Sequence, residues 1–405
     1  MPSKQTREHI VAATLMLMIT GLFISRALLS ISMAVFCVSA WLLFSRQKKG
    51  NLSALAFVAG FTLLFLLPFI SGLWSHDTAE WFNRVVVKLP LLLLPVAFWF
   101  YKPEPNTVFT VTLLFILFVL FGTLYSMYEY VLGTENIESG YLQAKVMPVI
   151  PGNDHIRFSW LTVIAVIMIL YLQKEIDRPS FRYILLGLMV WLVIFLHILA
   201  AKTGLLLLYA ATLILLVHYI IQKKKKRLLL LLLLVPLLPF VAYHTLPTFK
   251  KRVHYALYDY QHYSQNSYRE GLSDGMRIIS IKSGLDTWQQ NPIAGTGFGD
   301  IEADTYNWYR QVYPDAKPYE QILPSSQFLL YACGTGVIGL FFFLAALVMP
   351  LTRKVLLGNP FFTAFYIPAL VSFIFEIHLE SQYGCFIFCF FALWTGLITN
   401  RVKFE

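Results

Sequence analysis

Apolar runs of about 18 to 22 residues recur along the chain, each long enough to cross the hydrocarbon core of a bilayer. Twelve are read, near 9–25, 27–45, 52–73, 85–101, 108–132, 157–172, 183–201, 204–221, 228–246, 325–350, 361–377 and 384–399. Only 13% of the 405 residues are charged and 58% are hydrophobic, too little polar surface to cover a water-soluble fold of this size. Inside a bilayer, backbone N–H and C=O groups must be satisfied within the segment, so these runs are expected as helices. The fold class is therefore an all-α polytopic membrane protein of about 12 transmembrane helices. Residues 1–246 hold spans one to nine, 247–324 form one large helical loop, and 325–405 hold spans ten to twelve. No small-x-small cleavage site follows the first run, which is read as an uncleaved span.

Orientation follows from Lys and Arg in alternate loops. Eighteen lie in one set of loops, including Lys4, Arg7, Arg46, Lys48, Lys49, Lys102, Arg178, Lys223 to Arg227, Arg353 and Lys354. Six lie in the opposite short loops: Arg26, Arg84, Lys88, Lys145, Arg157 and Lys202. The richer set is read as cytoplasmic, with both termini. The net charge of +10 is thereby used up in topology. No basic stripe interleaved with aromatics is present, so nucleic acid is not an expected partner. Cys37, Cys333, Cys385 and Cys389 all fall in apolar runs and read as buried small side chains; no metal site and no cofactor are expected.

Away from the cytoplasm lie segments 74–84, 133–156 and 247–324. The last is too long for a structureless connection. Ile278, Ile281, Leu285 and Trp288 recur in it at helical spacing, predicting an amphipathic helix over 274–290 that stops at Asn291-Pro292. Charges at a membrane edge are costly, so each needs a reason. On this side they are Arg84, Lys88, His155, Arg157, Lys202, Arg277, Glu376 and Glu380, followed by Gln382. Five cations against two carboxylates suit a pyrophosphate or another anionic head group. The competing reading is interfacial snorkelling. Gly295-Thr296-Gly297-Phe298-Gly299 follows no strand, so it is read as a tight turn with exposed N–H groups rather than a dinucleotide site. The aromatics of the loop, such as Tyr255, Tyr258, Tyr306, Trp308 and Tyr309, suit either sugar rings or an interfacial belt.

Trp288 through Pro292 and Gly295 to Gly299, preceded by Arg277, resemble the signature of the O-antigen ligase and polymerase superfamily. Pro324-Ser325-Ser326-Gln327-Phe328-Leu329, then Gly334 to Leu340, is similar to that family's His-Asn-x-x-Leu segment and glycine-rich helix. Ala201-Lys202-Thr203-Gly204 resembles its Ser-Arg-Gly turn, with Lys in place of Arg. Ser71 to Ser75 through Arg84 and Lys88 resembles its first outer loop. The resemblance implies a metal-independent glycosyltransferase of the GT-C type in the bacterial inner membrane, with a periplasmic active face. Its donor would be a glycan on undecaprenyl pyrophosphate and its acceptor lipid A–core or another glycan, with membrane lipids around it. By the same resemblance Lys202 and Arg277 handle the pyrophosphate. Arg84, Lys88, Arg157, His155, Gly295, Gly297, Glu376 and Gln382 are expected around the substrates. Ser325 holds the family's histidine position, and serine is no ordinary general base at neutral pH. Glu380 is the preferred substitute, with Glu376, His155 and His378 as further candidates.

A repeat-unit polymerase of the same superfamily is the alternative, although a single large outer loop favours a ligase. A transporter or flippase would gather polar groups near the midplane, whereas here spans five, eight and twelve are almost unbroken apolar runs.

Overall fold

The computed structural model describes residues 3–44, 52–143, 145–150, 152–223, 230, 232, 234–264 and 273–398. The cations at 46–49 and 224–227, and Arg401 and Lys403, lie outside the described residues. The helices are α1 (Lys4–Ile24), α2 (Arg26–Phe44), α3 (Leu52–Ser71), α4 (Thr78–Val87), α5 (Leu89–Phe100) and α6 (Pro105–Leu132). They continue with α7 (Thr134–Gly140), α8 (His155–Glu175), α9 (Pro179–Leu199), α10 (Lys202–Lys223), α11 (Leu234–Thr245) and α12 (Pro247–Ser264). The last are α13 (Ser273–Gln290), α14 (Ile301–Val312), α15 (Gln327–Val348), α16 (Lys354–Leu357), α17 (Pro360–Ser372) and α18 (Gln382–Leu393). No strand occurs among the described residues.

Among the described residues, nine helical segments are long and apolar enough to cross a membrane, and two shorter apolar helices cover 360–372 and 382–397. They match eleven of the twelve runs read from the sequence; the ninth, 228–246, lies partly outside the described residues, and α11 is its described part. The fourth run is one segment broken at Lys88, where α4 gives way to α5. Ile31, Val38 and Trp41 on α2, Phe121 and Val131 on α6, and Tyr183 and Ile184 on α9 are exposed. A water-soluble surface does not leave such belts uncovered, and a lipid-facing one does. Inside, α18 is buried almost throughout: its Phe388 packs on Phe61 and Phe373, and its Phe391 on Phe115 and Phe365.

α15 is broken at Gly336, whose φ of 65° is left-handed backbone. Backbone freed at such a break must find partners elsewhere. The turn at 291–299 supplies them. Thr296 and Gly297 donate their N–H groups to the carbonyls of Cys333 and Gly334 at 2.8 and 3.1 Å, and Val337 donates to Pro292 O at 2.8 Å. A Cβ on Gly336 would stand 2.0 Å from Ile293 O, and one on Gly295 2.4 Å from Cys333 O. The two glycine motifs are thus halves of one clasp.

The long loop folds locally as α12, α13 and α14. The helix expected at 274–290 is present as α13, but its face differs from the expected one. Met276, Ile279, Ser280, Ser283 and Thr287 are buried, while Leu285 is exposed. Small side chains win there because α13 lies closely against the start of α15: a Cβ on Gly284 would meet Leu329 and Pro324 at 2.7 Å.

Candidate functional site

Helix order alone brings the ends of α3, α6, α9, α11 and α17 and the starts of α4, α8, α10, α15 and α18 to one end of the bundle. The polar residues singled out in the sequence lie there, and Arg84, Lys88, Lys202, Arg277, Glu376 and Glu380 form two ion-paired nests joined by segment 376–380.

The first nest is built on the α4–α5 break. Lys88 is fully buried and Arg84 nearly so. Lys88 Nζ donates to Glu380 Oε2 at 2.8 Å and lies 5.0 Å from the centre of the Phe298 ring. Arg84 reaches Glu380 at 3.2 Å, Glu302 at 2.9 Å and Glu80 at 2.8 Å. Gln327 Nε2 donates to the other Glu380 oxygen at 3.0 Å, while its Oε1 accepts from Leu379 N at 2.8 Å. Burial raises the Glu380 pKa, but Lys88 and Arg84, with hydrogen bonds from Lys88 and Gln327, outweigh it and hold the carboxyl below its usual value. A carboxylate so held is a weak proton acceptor. The expected base is therefore placed where it balances two buried cations.

The second nest joins α10, α12, α13 and the end of α17. Ala200, left-handed at φ 48°, turns the chain from α9 so that Lys202 and Thr203 open α10. Lys202 Nζ pairs with Asp274. Arg277, one turn further along α13, pairs with Glu376 Oε1 at 2.7 Å, and Thr203 donates to the same oxygen at 2.8 Å. Lys202 and Arg277 thus stand side by side. Asp259 on α12 is fully buried and accepts from the N–H groups of Asp274 and Gly275 at 2.7 and 3.0 Å, capping α13 and fixing where both residues project. Below Arg277, the hydroxyl of Ser280 donates to its carbonyl at 2.7 Å and lies 2.9 Å from Ser325 Oγ.

Other expected residues are placed differently. Arg157 pairs with Asp154, its neighbour at the start of α8, at 2.5 Å, and joins neither carboxylate strap residue. His155 lies within electrostatic reach of Arg252 and Arg277. His378 is a core residue, 3.1 Å from Ser372 Oγ and packed on Trp160. Gln382 turns toward α2 and donates to Ser30 at 2.7 Å. Gly295 and Gly297 spend their N–H groups on Asn291 and Gly334. Phe298 and Gly299 spend theirs on the hydroxyls of Ser71 and Ser75. The turn expected to expose N–H groups is closed, because the broken α15 and the end of α3 take those donors. Among the described residues no cluster of three His, Cys, Asp or Glu side chains could hold a metal ion.

Sequence reading missed Asp259, Asp274, Glu302, Gln327 and Arg252. Gln327 carried a signal, being a polar residue opening an apolar run. Arg252 carried one too, in Lys250-Lys251-Arg252 on the side otherwise poor in cations. Asp259, Asp274 and Glu302 carried none.

The fold and this polar layer define a polytopic helical membrane protein with a cation-rich, carboxylate-balanced site at one edge of its bundle. Residues 187–344 match the family model Wzy_C, described as O-antigen ligase, and over that stretch the chain is similar to the family. The match runs from α9 into α15. It takes in Lys202, Arg252, Arg277, the glycine clasp and Ser325, and leaves Arg84, Lys88, Glu376 and Glu380 outside. No curated protein matches the chain significantly.

Proposed function

We propose that this chain transfers a glycan from a polyprenyl diphosphate, of the undecaprenyl type, to an acceptor hydroxyl at the periplasmic edge of the inner membrane. The observation that carries this reading is the pairing of Lys202 and Arg277, side by side, with carboxylates that a diphosphate would displace. Arg offers two parallel N–H donors to a phosphate and Lys a point charge.

In the reaction the acceptor oxygen attacks the anomeric carbon. The bond from that carbon to the diphosphate oxygen breaks, and its electron pair leaves with the polyprenyl diphosphate. Negative charge grows on the leaving group, and Lys202 and Arg277 stabilise it where it grows. The acceptor proton needs a base. Glu376 suits this better than Glu380: a diphosphate that takes Arg277 frees the Glu376 carboxylate beside it, whereas Lys88 and Arg84 keep Glu380 engaged. Ser325 is a positioning residue through Ser280. Arg84 and Lys88 hold segment 376–380, and through it Glu376, in place.

A ligase to lipid A–core is favoured over a repeat-unit polymerase by the single large loop beside the site, since a polymerase has a second long glycan to hold. Lys202→Ala and Arg277→Ala should each abolish the lipopolysaccharide ladder in a deletion strain while the protein still accumulates in the membrane. Full ladders from both variants would remove these residues from the mechanism.

A further inference from the structure

α12 crosses the second nest and is fastened just ahead of Arg252. Thr248 donates to Ile198 O at 2.7 Å, and Lys251 pairs with Glu138 on α7 at 2.6 Å. Next to these anchors, Arg252 is held against the Tyr255 ring, 5.5 Å from its centre. Its Nε and Nη1 are buried and have no hydrogen-bond partner among the described residues. Asp274 and Arg277 are within electrostatic reach, and His155 feels Arg252 in turn. Buried guanidinium donors without acceptors are costly, because water has been lost and nothing replaces it. The nest's carboxylates are already engaged: Asp274 pairs with Lys202, Glu376 with Arg277, and Asp259 accepts from the Asp274 and Gly275 N–H groups, which leaves Arg252 as a surplus cation among the described residues. A site with this surplus suits a dianion better than a monoanion.

We infer that Arg252 is a third anchor for the donor's diphosphate, binding the phosphate that Lys202 and Arg277 leave unsatisfied and setting the preference for diphosphate over monophosphate carriers. This rests on the transferase reading above. Bound phosphate oxygens accept from the guanidinium, and the aromatic face of Tyr255 keeps it oriented.

The test uses the purified full-length chain in nanodiscs, with geranylgeranyl diphosphate and geranylgeranyl monophosphate as probes. Binding and melting temperature are measured for the wild type, Arg252→Gln and Arg252→Lys. Diphosphate affinity should fall at least about tenfold in Arg252→Gln, the worth of one charge-assisted hydrogen bond. Monophosphate affinity should fall less, and Arg252→Lys should recover part of the loss. Without ligand, Arg252→Gln should melt at or above the wild-type temperature, because a buried unpaired cation has been removed. Undiminished diphosphate binding by Arg252→Gln would overturn the assignment. So would a lower melting temperature in both variants, which marks a packing role. A wild type that does not prefer diphosphate would instead sink the transferase reading itself, and the inference with it.

Discussion

At the scale of residues, the buried charges impose the strongest constraints. Glu380 compensates two cations that have almost no contact with solvent, so Glu380→Ala leaves the buried Lys88 without its carboxylate and Arg84 with Glu80 and Glu302 alone. The expected loss is about 3–5 kcal/mol, read as a lower melting temperature in detergent. A Lys88→Met/Glu380→Leu double variant should lose less than Glu380→Ala alone, because the uncompensated charge is reduced with its partner. The pH response has a definite sign. Glu380 has a folded-state pKa below its unfolded one, so its contribution is complete above the usual carboxylate value of about 4.3. It fades as the pH falls through the lower folded value. Melting temperature followed from pH 7 into that acid range should drop for the wild type, and Glu380→Gln should lack that part of the slope. The sequence marked Arg84, Lys88 and Glu380 as charges needing a reason. It could not show that they satisfy one another, since Lys88 and Glu380 meet across 292 residues of chain.

At the scale of elements, the helices were legible and their contacts were not. Apolar length and Pro292 marked where α13 and the spans begin and end. The buried face of α13 was misread because the reading counted large apolar side chains, while close approach to α15 selects Gly, Ser and Thr. The glycine turn was misread for a related reason: the glycine spacing suggested a turn with free N–H groups, but the break in α15 and the hydroxyls of Ser71 and Ser75 consume them. That clasp gives a local prediction. Gly336→Val puts a branched side chain at positive φ and against Ile293 O. The left-handed backbone alone costs about 1–2 kcal/mol, and the 2.0 Å approach adds more, so little folded protein should survive extraction. Asp259→Ala acts more gently. It removes the cap of α13 at a cost of about 1–2 kcal/mol, and activity should fall further than stability, because Lys202 and Arg277 lose their common alignment.

At the scale of the whole molecule, nine membrane-length helices among the described residues, with shorter apolar ones, carry the chain back and forth so that five interhelical connections place polar groups at one end. Orientation can be read by labelling. Gln311→Cys, exposed on the loop side, should react with an impermeant maleimide added to cells whose outer membrane is permeabilised. Arg178→Cys, exposed at the opposite end, should react only after the inner membrane is opened. The native thiols add little background, since three are buried and Cys37 is half-buried within a span. The site assembles residues from α4, α10, α12, α13 and the α17–α18 connection, of which the O-antigen ligase match covers only the middle three. The proposed chemistry therefore draws on the entire bundle. It is tested most directly by incubating the purified chain with a defined glycan on undecaprenyl diphosphate and lipid A–core, and weighing the products. The account predicts a glycan-extended acceptor and free undecaprenyl diphosphate from the wild type and neither from Arg277→Ala; equal product from both proteins would contradict it.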